Sequence, residues 1–316
     1  MSKKQFNLKT SLNILSDFPD VEVEGNSEPC AFTPSIDPDY IFGVDMVRDL
    51  FGFWISGEKA MLLIGFSGCG KTSSVEQWHA RLNLPLLIYV AHPRTEISDL
   101  IGHYIPTENG GMVFHYGPVA RAAKEGMSVL IDEYYVLDPG VATGLNALLQ
   151  GGGLYIPETG EVIRPKEGFR VFAATNPADI GAGFFGRNTQ DAANQDRFWT
   201  VNVDYPKPED EIPLVKKVLC NQGLDDAVSA LYAEKMVDVA GRVRKMYCGE
   251  SDDASAIDVT LSTRSLKRWA TLFMLFQTMG DQALHFALKR VVTNRTQPET
   301  AKAIHDVVEL VFGVAA

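Results

Sequence analysis

The sequence predicts an α/β chain, an αβα domain on a parallel sheet followed by an α-helical domain, and three observations carry that reading. Residues Gly65-Phe66-Ser67-Gly68-Cys69-Gly70-Lys71-Thr72 fit G-x-x-x-x-G-K-[ST] at every fixed position. The apolar run Met61-Leu62-Leu63-Ile64 stands just before them, and a helical stretch from Lys71 to Leu82 follows. This strand–loop–helix context is what a phosphate-cradling loop requires. Beyond the loop, apolar runs and helical periods alternate as far as Tyr205, the pattern of a parallel sheet with helices on both faces. After the linker-like Tyr205-Pro206-Lys207-Pro208, the sequence is helical by period throughout.

In chain order, residues 1–36 read as an arm, polar and broken by Pro29 and Pro34, with the acidic stretch Asp20-Val21-Glu22-Val23-Glu24. The αβα domain is expected over 37–205 and the helical domain over 206–316. Asp45 to Trp54 has helical periodicity, with Val47, Leu50 and Phe51 on one face. After the phosphate loop and its helix, Leu84 to Val90 reads as a strand and 96–102 as a short helix or turn. Asn109-Gly110-Gly111 marks a hairpin over 103–115. Pro118 to Glu125 reads as a helix and Met127 to Ile131 as a strand. Asp138-Pro139 is a cap followed by a first-turn proline, opening a helix to about Gln150. A second hairpin spans 153–165 around Glu158-Thr159-Gly160. Phe169 to Thr175 and Phe198 to Val203 are strands. Helices follow at 209–221, 225–247, 262–279, 282–293 and 298–312. Trp269, Leu272, Phe273, Leu275 and Phe276 fit one broad core-facing side of a helix, and Glu209-Asp210-Glu211 reads as a helix N-terminal charge group.

Composition narrows the function classes. With 46% hydrophobic and 22% charged residues, the chain has the make-up of a soluble globular protein. No apolar run approaches the roughly 20 residues of a membrane span, and Met1-Ser2-Lys3-Lys4-Gln5 lacks the apolar core of a signal peptide. A cytoplasmic location without membrane contact is the expectation. Cys30, Cys69, Cys220 and Cys248 show no C-x-x-C spacing and the six histidines no ligating cluster, so free thiols and no intrinsic metal centre are expected. A net charge of −11 argues against a protein that coats nucleic acid, whose affinity rests on neutralising phosphates. It leaves room for a local basic pore.

The candidate site follows from charge requirements. Gly65, Ser67, Gly68, Cys69, Gly70, Lys71, Thr72 and Ser73 are the candidate nucleotide-binding residues. Their backbone N–H groups would curl around phosphates, with Lys71 reaching the β- and γ-phosphates. Thr72 would set its hydroxyl on Mg²⁺. Ser128-Val129-Leu130-Ile131-Asp132-Glu133 is an apolar strand ending in two carboxylates. Asp132 would hold the metal and Glu133 would polarise an attacking water. Asn176, at the end of Phe172-Ala173-Ala174-Thr175, would stand between that water and the γ-phosphate. Arg197 precedes the last strand, from where it could reach a neighbouring subunit's γ-phosphate. Arg264, in Ser262-Thr263-Arg264 at a helix start, could supply charge from the helical domain.

These motifs in this order resemble AAA+ ATPases of the MoxR type. The hairpins at 103–115 and 153–165 look like that group's helix-2 and pre-sensor inserts. Ile36-Asp37-Pro38-Asp39-Tyr40-Ile41-Phe42, Ile131-Asp132-Glu133-Tyr134 and Asn188-Thr189-Gln190-Asp191-Ala192-Ala193-Asn194-Gln195-Asp196-Arg197 resemble segments of the cobaltochelatase ATPase-subunit group. The resemblance implies an AAA+ αβα domain with a helical lid, ATP and Mg²⁺ as cofactors, and nucleotide contacts from Ile41 and Phe42. It also implies a homo-hexameric ring with Arg197 acting in trans, and a von Willebrand A domain partner (CobT-like). A DNA-directed AAA+ motor is the competing reading, and the acidic balance counts against it.

Overall fold

The computed structural model describes residues 2–14, 18–177, 192–249, 257–280 and 282–314. The chain divides into two units, each with its own apolar core. One takes most of the chain up to Val203; the other holds 204 onward together with Ser67–Cys69.

The first unit opens on β1 (Lys3–Asn7), the one-turn α1 (Leu8–Ser11) and β2 (Glu22–Asn26). β1 and β2 pair antiparallel, Lys3 opposite Asn26. Leu8, Leu12 and Val23 are buried, and Asn26 N–H donates to Leu82 O at 3.1 Å. A Cβ on Gly25 would stand 2.3 Å from Leu82 O, so the close approach of this strand requires glycine. The stretch read as an arm is therefore folded onto its unit. Its signal was too short to see: Glu22-Val23-Glu24 turns one apolar side chain inward between two exposed carboxylates.

α2 (Val44–Ser56) buries Val47, Leu50 and Phe53 and ends on Gly57 in the left-handed region. β3 (Ala60–Gly65), α3 (Lys71–Arg81), β4 (Leu86–Val90) and α4 (Ile97–Ile101) follow. β5 (Gly102–Pro106) and β6 (Met112–Tyr116) form the first hairpin. Next come α5 (Pro118–Glu125) and β7 (Ser128–Asp132). The helix expected from 138 to 150 is two short pieces, α6 (Pro139–Gly144) and α7 (Asn146–Leu149). Gly140 and Gly144 weaken the first piece, and the two pieces meet at Leu145, which caps both. β8 (Leu154–Ile156) and β9 (Glu161–Ile163) form the second hairpin, and β10 (Arg170–Thr175), α8 (Ala192–Gln195) and β11 (Trp199–Val203) complete the unit.

The main sheet is five-stranded and wholly parallel, in the order β11-β3-β10-β7-β4. β10 is buried along its whole length, which is why Val171-Phe172-Ala173-Ala174 reads as an unbroken apolar run. The two hairpins are tied together. Tyr104 Oη donates to Glu158 O at 3.0 Å, while Glu161 accepts from Tyr116 Oη and, at 2.8 Å, from Lys124 Nζ.

The second unit is helical: α9 (Pro208–Asn221), α10 (Asp226–Cys248), α11 (Thr263–Leu275), α12 (Gln282–Val291) and α13 (Pro298–Phe312). Trp269 is fully buried and its indole N–H donates to Leu284 O at 3.0 Å. Leu275, expected inside, is 68% exposed, because α11 ends there and a 3-10 turn takes over at Gln277. Inside this unit His285 and His305 form a buried chain. Val314 O can only accept, so His285 Nε2–H donates to it at 2.9 Å. His285 Nδ1 then accepts from His305 Nδ1–H at 2.8 Å, and His305 Nε2 accepts from Thr293 Oγ1 at 3.0 Å. With both rings neutral, every link of the chain is satisfied.

Candidate nucleotide site

The site residues of the first unit gather at the C-terminal ends of three adjacent central strands. Register sets this: Ala173 of β10 lies beside Leu62 of β3 on one side and Ile131 of β7 on the other. The next residues along therefore bring the phosphate loop, Asp132 and Asn176 to one edge, where open parallel sheets bind ligands.

Gly68 and Gly70 have φ of +75° and +100°, which side chains with a Cβ rarely adopt. Gly70 is the N-cap of α3 and no side chain caps that helix. Its first-turn amides and dipole are thus offered to an anion. Lys71 is 8% exposed, and its Nζ donates to Gly65 O at 2.7 Å, Phe66 O at 2.9 Å and Asn176 Oδ1 at 2.9 Å. Asn176 Nδ2 donates to Glu133 Oε1 at 3.3 Å. Thr72 Oγ1 donates to Asp132 Oδ2 at 2.9 Å, and Asp132 Oδ1 accepts from Glu133 N–H at 2.9 Å. Lysine, asparagine, glutamate, aspartate and threonine thus form one continuous polar chain. The hydroxyl and carboxylate of Thr72 and Asp132 are the hard oxygen donors that Mg²⁺ takes, and the glycine cradle with Lys71 fits a polyphosphate.

Glu133 is held at φ +56°, ψ +40°. Among the described residues the other non-glycine positions of positive φ are Asn13 and Asn83. Asparagine tolerates this region and glutamate does not, so the backbone is strained where the carboxylate is presented.

The remaining expected residues lie as follows. Cys69 is buried and Ser73 half-buried within α3. Phe42 is 2% exposed, its ring against Tyr40 at 4.8 Å and under the Arg81 guanidinium at 5.4 Å; Ile41 is half-buried. Arg197 follows α8, and its Nη1 donates to Ala193 O while its buried Nε lacks a partner. Asn188 to Asp191, part of the segment preceding it, fall outside the described residues. Arg264 is exposed at the second position of α11, in the helical unit.

Sequence reasoning missed three residues. Arg81 donates to Asp37 O at 3.1 Å and Tyr40 O at 2.7 Å, fixing the segment before α2; as one basic residue at a helix end it gave no signal. Glu211, read as part of a helix N-terminal charge group, is fully buried. It accepts from Arg244 Nη1 at 2.7 Å and Nη2 at 2.8 Å, and from Thr263 Oγ1 at 2.6 Å. Arg244 Nε donates to Leu261 O at 2.8 Å, so the pair pins the residues on which Arg264 is mounted. Arg244 also lies 4.3 Å over the ring of Tyr205, whose hydroxyl burial pushes up to about 12.

Residues 60–198 match the family model for the AAA domain of the dynein-related subfamily, and residues 218–311 match the CbbQ/NirQ/NorQ C-terminal model. The chain is similar to the midasin of Dictyostelium discoideum, 31% identical over 68% of this chain, yet it spans 4% of that protein's length. It is 27% identical to protein NorQ of Paracoccus denitrificans over 93% of this chain and 98% of that one. To the aerobic cobaltochelatase subunit CobS of a Sinorhizobium species it is 26% identical over 93% and 87% of the two chains. With a polar chain that joins phosphate loop, acidic strand end and Asn176, and with both of its domains matched, this protein belongs to the AAA+ ATPases of the MoxR type.

Proposed function

We propose that the chain is the motor subunit of a cytoplasmic, ring-forming machine that hydrolyses ATP with Mg²⁺ and drives a von Willebrand A domain partner. The observation that carries the chemical half is the polar chain from Lys71 through Asn176 and Glu133 to Asp132 and Thr72. In this reading Lys71 and the loop amides bind the β- and γ-phosphates, with Gly65, Ser67, Gly68, Cys69, Gly70 and Ser73 shaping the cradle. Thr72 and Asp132 hold Mg²⁺, which supplies positive charge to the phosphoryl oxygens when bound. Glu133 accepts the proton of the attacking water, and its bond to Asn176 aims the carboxylate. Arg197, from a neighbouring copy in a hexamer, neutralises developing charge, and Arg264 adds charge from the helical unit. Ile41 and Phe42 lie along the nucleotide through their backbone.

The partner half is supported by the similarity to the cobaltochelatase subunit over most of both chains. The two tied hairpins carry exposed Tyr104, Met112 and Val113 on one and Tyr155 and Val162 on the other, and these are the surfaces offered for coupling. The experiment is purification from the native host with a non-hydrolysable ATP analogue, followed by mass measurement and identification of bound proteins. A large ring that retains a von Willebrand A protein is the expected result. A monomer of full ATPase activity, or salt-sensitive stimulation by DNA instead of protein, overturns the reading.

A further inference from the structure

At the opposite end of the parallel strands from the phosphate loop, the first unit contains a cavity of about 620 Å³. The first residues of β7 and β10, Ser128 and Arg170, line it. They are register partners on adjacent parallel strands and so project on the same face. Trp54, Phe32 and Leu84 supply apolar wall.

Arg170 is 9% exposed. Its Nη1 donates to Phe169 O at 2.9 Å and its Nη2 lies 3.5 Å from Trp54 O, with the guanidinium 5.2 Å from the Trp54 ring. Its Nε has no hydrogen-bond partner, and no described carboxylate pairs with it. Burial pushes its pKa down with no acid to offset the effect. A buried guanidinium without a counter-charge is costly. The shortage extends around it: Trp78 Nε1 and His79 Nε2 are also buried without partners, on rings 6.0 Å from Trp54. Ser128 is 2% exposed, lines the cavity and makes no side-chain hydrogen bond to the protein.

The rim selects the kind of anion. Lys3 is matched by Glu24 at 3.1 Å, and Glu125 by Arg121 at 2.9 Å, while Glu167 at the rim has no ion pair. Lys59 feels both Arg170 and Glu167, so these three groups leave a single net positive charge, enough for a monoanion and too little for a dianion. One guanidinium and one hydroxyl suit a single carboxylate, and the aromatic walls suit an apolar body. We propose that this cavity binds a small-molecule monocarboxylate, its carboxylate on Arg170 and Ser128 and its apolar body against Trp54 and Phe32. The site is independent of the phosphate loop and of the ATPase reading.

The test is calorimetric titration of the full chain with 3-phenylpropionate, 3-phenylpropionamide and inorganic phosphate. Saturable binding of the carboxylate is expected, at least 10-fold tighter than of the amide or phosphate. Arg170→Gln should weaken it at least 10-fold and Ser128→Ala roughly 3- to 10-fold, while Lys71→Ala leaves it unchanged. Should Arg170→Gln unfold, Ser128→Ala with the amide comparison still decides. No saturable binding at millimolar ligand, equal affinity for the amide, or tighter binding of phosphate overturns the proposal. So does binding of an acidic peptide through Arg170 when the small carboxylate fails.

Discussion

Replacing Arg244 by methionine removes one half of an ion pair whose side chains are 9% and 0% exposed. Glu211 would be left with a single donor, the Thr263 hydroxyl, in place of three. Leaving a buried carboxylate uncompensated costs about 3–5 kcal/mol. At 1.36 kcal/mol per decade, that predicts local opening of α11 faster by roughly 10²- to 10⁴-fold. The assay is peptide-resolved hydrogen exchange, which reads the helical unit separately from the sheet unit. Leu261 O loses its donor as well, so the residues carrying Arg264 should show the largest change. The double variant Glu211→Leu with Arg244→Met tests the cause. With no charge left to strand, it should recover most of the protection, since apolar replacement of a buried pair is often neutral or stabilising. Protection in Arg244→Met within 3-fold of wild type, or a double variant worse than the single, would refute the reasoning.

Three further outcomes are expected. Lys71→Ala should lose ATP binding, whereas Glu133→Gln should bind ATP and lose at least ~10²-fold in turnover; equal turnover of Glu133→Gln and wild type excludes Glu133 as the base. Arg197→Ala should cut turnover by about 10³–10⁵ with nucleotide binding nearly unchanged, and co-assembly with Lys71→Ala subunits should restore some activity; rings of both variants without any activity exclude action in trans. Acid should destabilise the fold: burial pushes His79 and His305 each down to about 4, and the neighbouring His285 ring adds to the effect at His305. Both pKa values are depressed relative to an unfolded imidazole near 6.5, so the unfolded state takes up protons first and stability falls as pH drops from ~6.5 toward 4. For His79 the loss approaches about 3 kcal/mol. His79→Gln, measured by urea unfolding at pH 7 and pH 5, should flatten this slope, and an unchanged slope counts against it.

The sheet unit was legible because its central strands are buried on both faces, and apolar runs such as Met61–Ile64 announce themselves. The polar chain of the site was legible because its members sit at strand ends or in a loop of fixed spacing. What escaped notice depends on partners remote in sequence. Glu211 looks solvent-facing until Arg244 is placed beside it, 33 residues away. Arg81 matters only because Asp37 O and Tyr40 O come to it. β1 has no fully buried position and β2 buries one apolar side chain, Val23, too little to set a period.

The left-handed backbone of Glu133 carries an evolutionary consequence. A side chain there with a Cβ, other than asparagine or aspartate, costs roughly 1–2 kcal/mol. Glycine or asparagine at this position would relieve the tension, leaving a sturdier protein without the base proposed above. Copies of the gene released from selection for turnover should therefore drift at this codon toward the thermally safer residues. On the proposed role of Glu133, a sequence that keeps glutamate in this conformation retains a liability that selection for turnover would sustain. Loss of activity and gain in melting temperature would arrive together, in a single substitution.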